Sequence, residues 1–136
     1  MPARQPASLP RNFSESVWRG LRARCPRCGG GALFTRFLKP ADRCGACGQD
    51  WSHQRADDFP AYIAILVTGH LLAPFIIMLA LDYDLGPGAM AAILLPLAVA
   101  MLLGMLQPAK GAVIAAQWWH GLHGFVKERV AEDAAP

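Results

Sequence analysis

The chain has 136 residues, 54% of them hydrophobic and only 17% charged, with a formal net charge of +3. Ten of the thirteen basic residues fall within residues 1–59 against five acidic ones, whereas 61–81 and 88–106 contain no Asp, Glu, Lys or Arg. That segregation argues against an ordinary soluble domain, because a chain this small cannot wrap two uncharged helices of such length in its own polar residues.

In chain order, residues 1–24 read as a disordered and amphipathic N-terminal segment. The proline-rich "MPARQPASLPRN" lacks apolar periodicity and is expected to be a disordered tail. In "FSESVWRGLRA", Phe13, Val17 and Leu21 recur every four residues with Arg19 and Arg22 off the stripe. This predicts a short helix whose basic flank could rest on an anionic membrane surface. Residues 25–50 form a cysteine module and 51–60 a linker. No cleavable leader is expected, since the first apolar run begins about sixty residues in.

Residues 61–81 and 88–106 are each about as long as a helix needs to cross a bilayer core of roughly 30 Å. Pro60 suits the first turn of a helix, and Pro74 and Pro96 fall inside the two runs. The short connection "DYDLGPG" makes them an antiparallel hairpin, with Gly69 and Ala73 candidates to pack against Ala98 and Gly104. "QPAKG" predicts a break at Pro108 and Gly111. Beyond it, residues 111–127 predict a separate amphipathic helix at the membrane interface, with Ile114, Trp118, Leu122 and Phe125 on one face and Gln117, His120, Gly124 and Lys127 on the other. Residues 128–136 read as a solvated tail. The loop carries Asp82 and Asp84, whereas both flanks are basic, so both termini are expected in the cytoplasm, as for a two-span membrane protein.

The cysteines read Cys25-x2-Cys28-x15-Cys44-x2-Cys47, the spacing of a four-thiolate zinc site. Two intervening residues let a tight turn aim both sulfurs at one ion, and Gly29 and Gly48 suit the left-handed backbone that closes such a turn. Zinc is favoured over iron, and both over disulfides or redox thiols in a reducing compartment. A closed site of this kind is structural, as a zinc ribbon is. Between the pairs, "ALFTRFLK" predicts a β-hairpin, with Phe34, Phe37 and Leu38 covering the interior.

Other residues invite chemistry without requiring it. His70 lies mid-span, where a polar ring is a functional candidate, though a bond to a carbonyl of the partner helix accounts for it. His120 and His123 could share an ion if both sat on one helix. Asp57 and Asp58 could do acid–base work, could bond Arg55, or could cap the first span. No phosphate loop or nucleophile triad is present, so no enzymatic activity is expected. The basic module could bind nucleic acid, but its charge is already explained by topology and by four thiolates.

Taken together, "CPRCGGGALFTRFLKPADRCGACGQDWSHQRADDFPAYIAILVTGH" and "LQPAKGAVIAAQWWHGLHGF" resemble the domain of unknown function 983 family of bacterial membrane proteins over roughly residues 25–125. The resemblance implies metal ligation by Cys25, Cys28, Cys44 and Cys47, and roles of unknown kind for Asp57, Asp58, His70, Gln107, Lys110, Gln117, Trp118 and His123. It also implies, through the company some members keep with assembly factors for haem–copper cytochrome oxidase, an accessory role in a respiratory complex. The expected protein is therefore a membrane α-helical, two-span hairpin with an N-terminal cytoplasmic zinc-ribbon-like module and a C-terminal interfacial amphipathic helix. It would serve as a non-enzymatic accessory or assembly factor whose partners are the bilayer and a membrane protein. The rivals are a metal-handling protein or enzyme built on His70, His120, His123 and the Asp57–Asp58 pair, and a membrane-tethered nucleic-acid binder.

Overall fold

The computed structural model describes residues 9–126. The expected N-terminal tail lies outside that range over 1–8, as does the C-terminal tail over 128–136. Leu9 packs on the core and Pro10 is fully buried, so the chain is already ordered just before the first helix.

Helix α1 spans Phe13–Leu21. Asn12 caps it by accepting a 2.8 Å bond from the Glu15 N–H, while the Glu15 carboxylate accepts from the Arg11 N–H at 2.8 Å. The first bond satisfies one backbone donor that the first turn leaves open, and the second ties down the residue before the cap. The helix stops two residues earlier than the periodicity suggests, because Ala23 turns to a φ of 58°. Its buried positions are Ser16 and Gly20 rather than the Phe13–Val17–Leu21 stripe. Gly20 and Gly111 lie backbone to backbone, and a Cβ on either would collide with the carbonyl of the other. At the opposite end of α1, Phe13 meets Trp119 and His120 at ring separations of 6.1 and 5.4 Å. The helix therefore runs antiparallel along the last turns of the third helix. Arg19 turns inward, bonded to Glu15 at 2.7 Å and to the Arg27 carbonyl at 3.1 Å.

Strands β1 (Phe34–Arg36) and β2 (Lys39–Pro40) form the expected hairpin. Its interior is filled differently from expectation. Leu33 and Phe34 are buried, Leu38 is only half-buried, and Phe37, at 57% exposure, points away.

Two long helices follow, α2 over Phe59–Asp82 and α3 over Pro87–His120, both long and apolar enough to cross a membrane. Pro60 sits in the first turn of α2, where its missing N–H removes no bond. Ala64, Thr68 and Leu79 are buried on α2, but Gly69 and Gly104 each face open space and Ala73 is exposed. The small-residue seam expected between Gly69–Ala73 and Ala98–Gly104 is thus not the packing used. Leu66, Ile77, Leu81, Leu95 and Leu103 all face outward.

The break expected at "QPAKG" does not occur, and residues 111–120 are no separate interfacial helix. Helix α3 runs straight through Pro96, Pro108 and Gly111. Proline deletes one intrahelical bond but keeps a helical φ, and the turns around Pro108 are held from outside by α1 and the cysteine module. The helix ends instead at Gly121, whose φ of 66° lets its N–H reach the carbonyls of Gln117 and Trp118. A short 3-10 helix, Leu122–Gly124, completes the described chain together with Phe125 and Val126.

Candidate metal centre

Each cysteine pair sits on a tight turn. The Gly29 N–H donates to the Cys25 carbonyl at 2.7 Å and the Gly48 N–H to the Cys44 carbonyl at 2.9 Å. Gly29 and Gly48 have φ of 69° and 76°, left-handed values that exclude most side chains. A second bond closes each loop, from the Cys25 N–H to the Gly31 carbonyl at 2.8 Å and from the Cys44 N–H to the Gln49 carbonyl at 2.9 Å. Gly31 is required for a different reason: a Cβ there would run into the Cys44 sulfur.

The turns bring all four sulfurs within 4.8 Å of one another. Cys25 and Cys47 are separated by 3.8 Å, and Cys28 and Cys44 by 3.7 Å. A disulfide needs about 2.05 Å between sulfurs, and all four thiols are free. Four sulfurs at about 2.3 Å from a central ion would stand about 3.8 Å apart at tetrahedral angles. The donor set and its spacing therefore suit one metal ion held by Cys25, Cys28, Cys44 and Cys47. Four protein ligands would leave such an ion no open position, and the chemistry it would then supply is cross-linking of the fold.

The thiols are not equivalent. Burial pushes the Cys25 thiol well above its ordinary range, outweighing a bond from the Cys28 N–H, and burial likewise raises Cys47. For Cys28 burial also acts upward, but the Gly31 and Gly30 N–H groups and the neighbouring thiols outweigh it and bring its pKa down to about 7. The Gly30 N–H lies 3.4 Å from the Cys28 sulfur.

Helix α3 completes this centre. Cys25, Cys44 and Cys47 share one core with Leu33, Phe34, Trp51, Ile114, Trp118 and Phe125. Trp51 is fully buried, edge-on to Trp118 at 6.2 Å and tilted against Phe125 at 5.7 Å. Of the stripe expected along 111–127, Ile114, Trp118 and Phe125 are buried against cysteines rather than lipid, while Leu122 is exposed.

Polar side chains of α3 clamp the module. Gln117, expected on a wet face, is buried; its Oε1 accepts from the Arg55 N–H at 2.9 Å and its Nε2 donates to the Arg55 carbonyl at 2.5 Å. Gln107 Oε1 accepts from the Leu38 N–H at 3.1 Å, and Lys110 Nζ donates to the Leu38 carbonyl at 2.9 Å. These are the long-range bonds that periodicity could not reveal. The Asn12–Glu15 cap, by contrast, was readable as an N-cap residue followed three positions later by Glu.

The remaining candidates form no metal-holding group with the thiols among the described residues. Asp58 occupies the N-cap position of α2 but its side chain makes no cap bond, and Asp57, with a φ of 44°, is exposed. Arg55 uses its backbone on Gln117 and forms no ion pair with either aspartate. His70 is exposed on α2 and its Nδ1 pairs with the Leu66 carbonyl of its own helix at 2.8 Å, not with the partner helix. His120 ends α3 beside Phe13, whereas His123 lies past Gly121 in a left-handed conformation, so the two do not share a helical face. Among the described residues the four cysteines are the group placed to hold a metal ion.

No curated protein matches the chain, and no solved structure does. A family model described as "Protein of unknown function (DUF983)" matches residues 34–118, which take in the second cysteine pair, both long helices and the docked end of α3, and begin after the first pair. That span is well over half of the sequence, and the chain belongs to the DUF983 family.

Proposed function

We propose that this chain is a two-span membrane protein carrying a structural zinc ribbon, and that it acts as a non-enzymatic accessory or assembly factor for a membrane complex. The observation that carries the reading is the clamping of a four-thiol cluster onto the continuation of a long apolar helix. Such a mount holds a rigid surface at a set height, which suits recognition better than turnover. The outward Leu66, Ile77, Leu81, Leu95 and Leu103 support lipid as the surroundings of α2 and the first part of α3. Zinc suits four thiolates best, with iron second. The acidic loop at Asp82 and Asp84 and the basic flanks favour cytoplasmic termini, and the resemblance to bacterial family members favours the inner membrane.

By resemblance to family members, a respiratory oxidase or its assembly factors are the partners to test first. Purification in mild detergent should retain a defined membrane complex with one zinc per chain. Recovery of the lone chain in several detergents, with oxidases maturing normally in a deletion strain, would overturn the accessory role.

A further inference from the structure

The tip of the β-hairpin violates the usual chemistry of a two-residue turn. Such turns favour Asn, Asp and Gly, because one or both central residues adopt positive φ. Here the central residues are Phe37 and Leu38, and Leu38 has a φ of 59°. A bulky residue held in that region marks a place where something other than local preference decides. Leu38 is pinned on both sides, its N–H by Gln107 and its carbonyl by Lys110. The pinning leaves Phe37 exposed, flanked by exposed Arg36 and Lys39.

The height of this tip is set by α3. Gln107 lies twenty residues beyond Pro87, about 30 Å along the helix at 1.5 Å per residue, which is the thickness of a hydrocarbon core. Because α2 and α3 are joined at Asp82 and Pro87, the start of α2 comes to the same level, and there Phe59 and Tyr62 are also exposed. Aromatic rings collect where acyl chains meet headgroups, and basic side chains beside them meet lipid phosphates.

We infer that the Arg36–Lys39 tip is a lipid-binding wedge: Phe37 enters the acyl boundary of the leaflet that surrounds α3, and Arg36 and Lys39 bind the phosphates of anionic phospholipids. This rests on the membrane-spanning reading of α2 and α3. The apolar belt of α2 and α3 is continuous with the tip at Gln107, and the tip's charge complements an anionic headgroup layer.

The test places a photo-crosslinker, by Phe37→p-benzoylphenylalanine, in the full-length chain reconstituted in nanodiscs of phosphatidylcholine and phosphatidylglycerol. The same replacement at Ile77, exposed about three-quarters of the way along α2, and at Ser52, exposed beside Trp51, serves as reference. Intact mass should show phospholipid adducts at positions 37 and 77 and none at 52. At position 37 phosphatidylglycerol should be enriched by about fivefold for each basic residue in contact, and R36Q/K39Q should abolish the enrichment. Adducts at 77 but not at 37, or chain-to-chain crosslinks from 37, overturn the wedge and leave the spans standing. Absence of lipid adducts at 77 overturns the membrane reading itself. Equal capture of both lipids at 37 overturns the assignment of Arg36 and Lys39.

Discussion

Gly104 and Gly111 sit seven residues apart on one side of the same helix, yet they have opposite surroundings. Beside Gly104 there is open space, whereas Gly111 is pressed against the backbone of Gly20. The contrast divides α3 into two halves. Up to about Leu106 the helix presents leucine and valine outward and none of its positions is buried; beyond it Ala109, Gly111, Val113, Ile114, Ala115, Gln117 and Trp118 are all buried. One half uses its length to carry apolar surface, and the other uses small residues, a glutamine and a tryptophan to receive a module. A helix of uniform secondary structure can thus contain two unrelated design problems.

The largest way to break this division is through the cysteines. On the zinc-ribbon reading proposed above, Cys44→Ser should lower bound zinc from one per chain to near zero and free the module from α3, since structural zinc binds zinc-finger peptides with about 10–16 kcal/mol. Metal counting together with limited proteolysis within residues 25–56 checks it, and retention of stoichiometric zinc would count against the four-thiolate assignment.

Next comes the glycine pair. Gly111→Ala should destabilise the docked module by about 1–3 kcal/mol through overpacking against Gly20. Gly104→Ala should be neutral or stabilising by up to about 1 kcal/mol, as a helical glycine replaced by alanine. Thermal unfolding of the two variants side by side reads the difference, and equal shifts would erase the contrast. Gln117→Leu should cost about 1–3 kcal/mol, because it strands a backbone N–H and C=O of Arg55. Faster amide exchange around Arg55 would report it.

Within the module, Cys28 should be the first thiol alkylated after the metal is chelated. Its pKa, lowered to about 7, leaves it about half thiolate at pH 7, and its rate should fall about tenfold per unit as pH drops further. Cys25 and Cys47, raised by burial, should lag behind it. Mass mapping of iodoacetamide adducts against pH measures this, and equal rates at all four sites would mean that the turns do not hold without the ion. The smallest effect belongs to Lys110→Met, which removes one bond to the Leu38 carbonyl and should cost about 1 kcal/mol, seen as faster exchange at the hairpin tip.

Much of the site was legible because it is local. Two residues between cysteines and a glycine after each pair specify a turn that aims two sulfurs together, whatever the rest of the chain does. The docking partner was half legible. Periodicity placed Ile114, Trp118 and Phe125 on one face but could not say what that face meets, and a bilayer surface was as consistent with the pattern as a cysteine core. Gln117 illustrates the limit, since a polar residue opposite an apolar stripe reads as solvated until a backbone segment sixty-two residues earlier is found bonded to it.

By itself, the sequence determined the knuckles, the two uncharged runs and the hairpin between the cysteine pairs, because each depends on residues close together along the chain. Only the tertiary structure decided that α3 continues through Pro108 and Gly111, that Gln107, Lys110 and Gln117 hold the module, and that Phe37 stays outside it. Those outcomes depend on contacts between distant segments, whose summed packing and hydrogen bonding outweigh one lost helical bond and the conformational preference of a glycine.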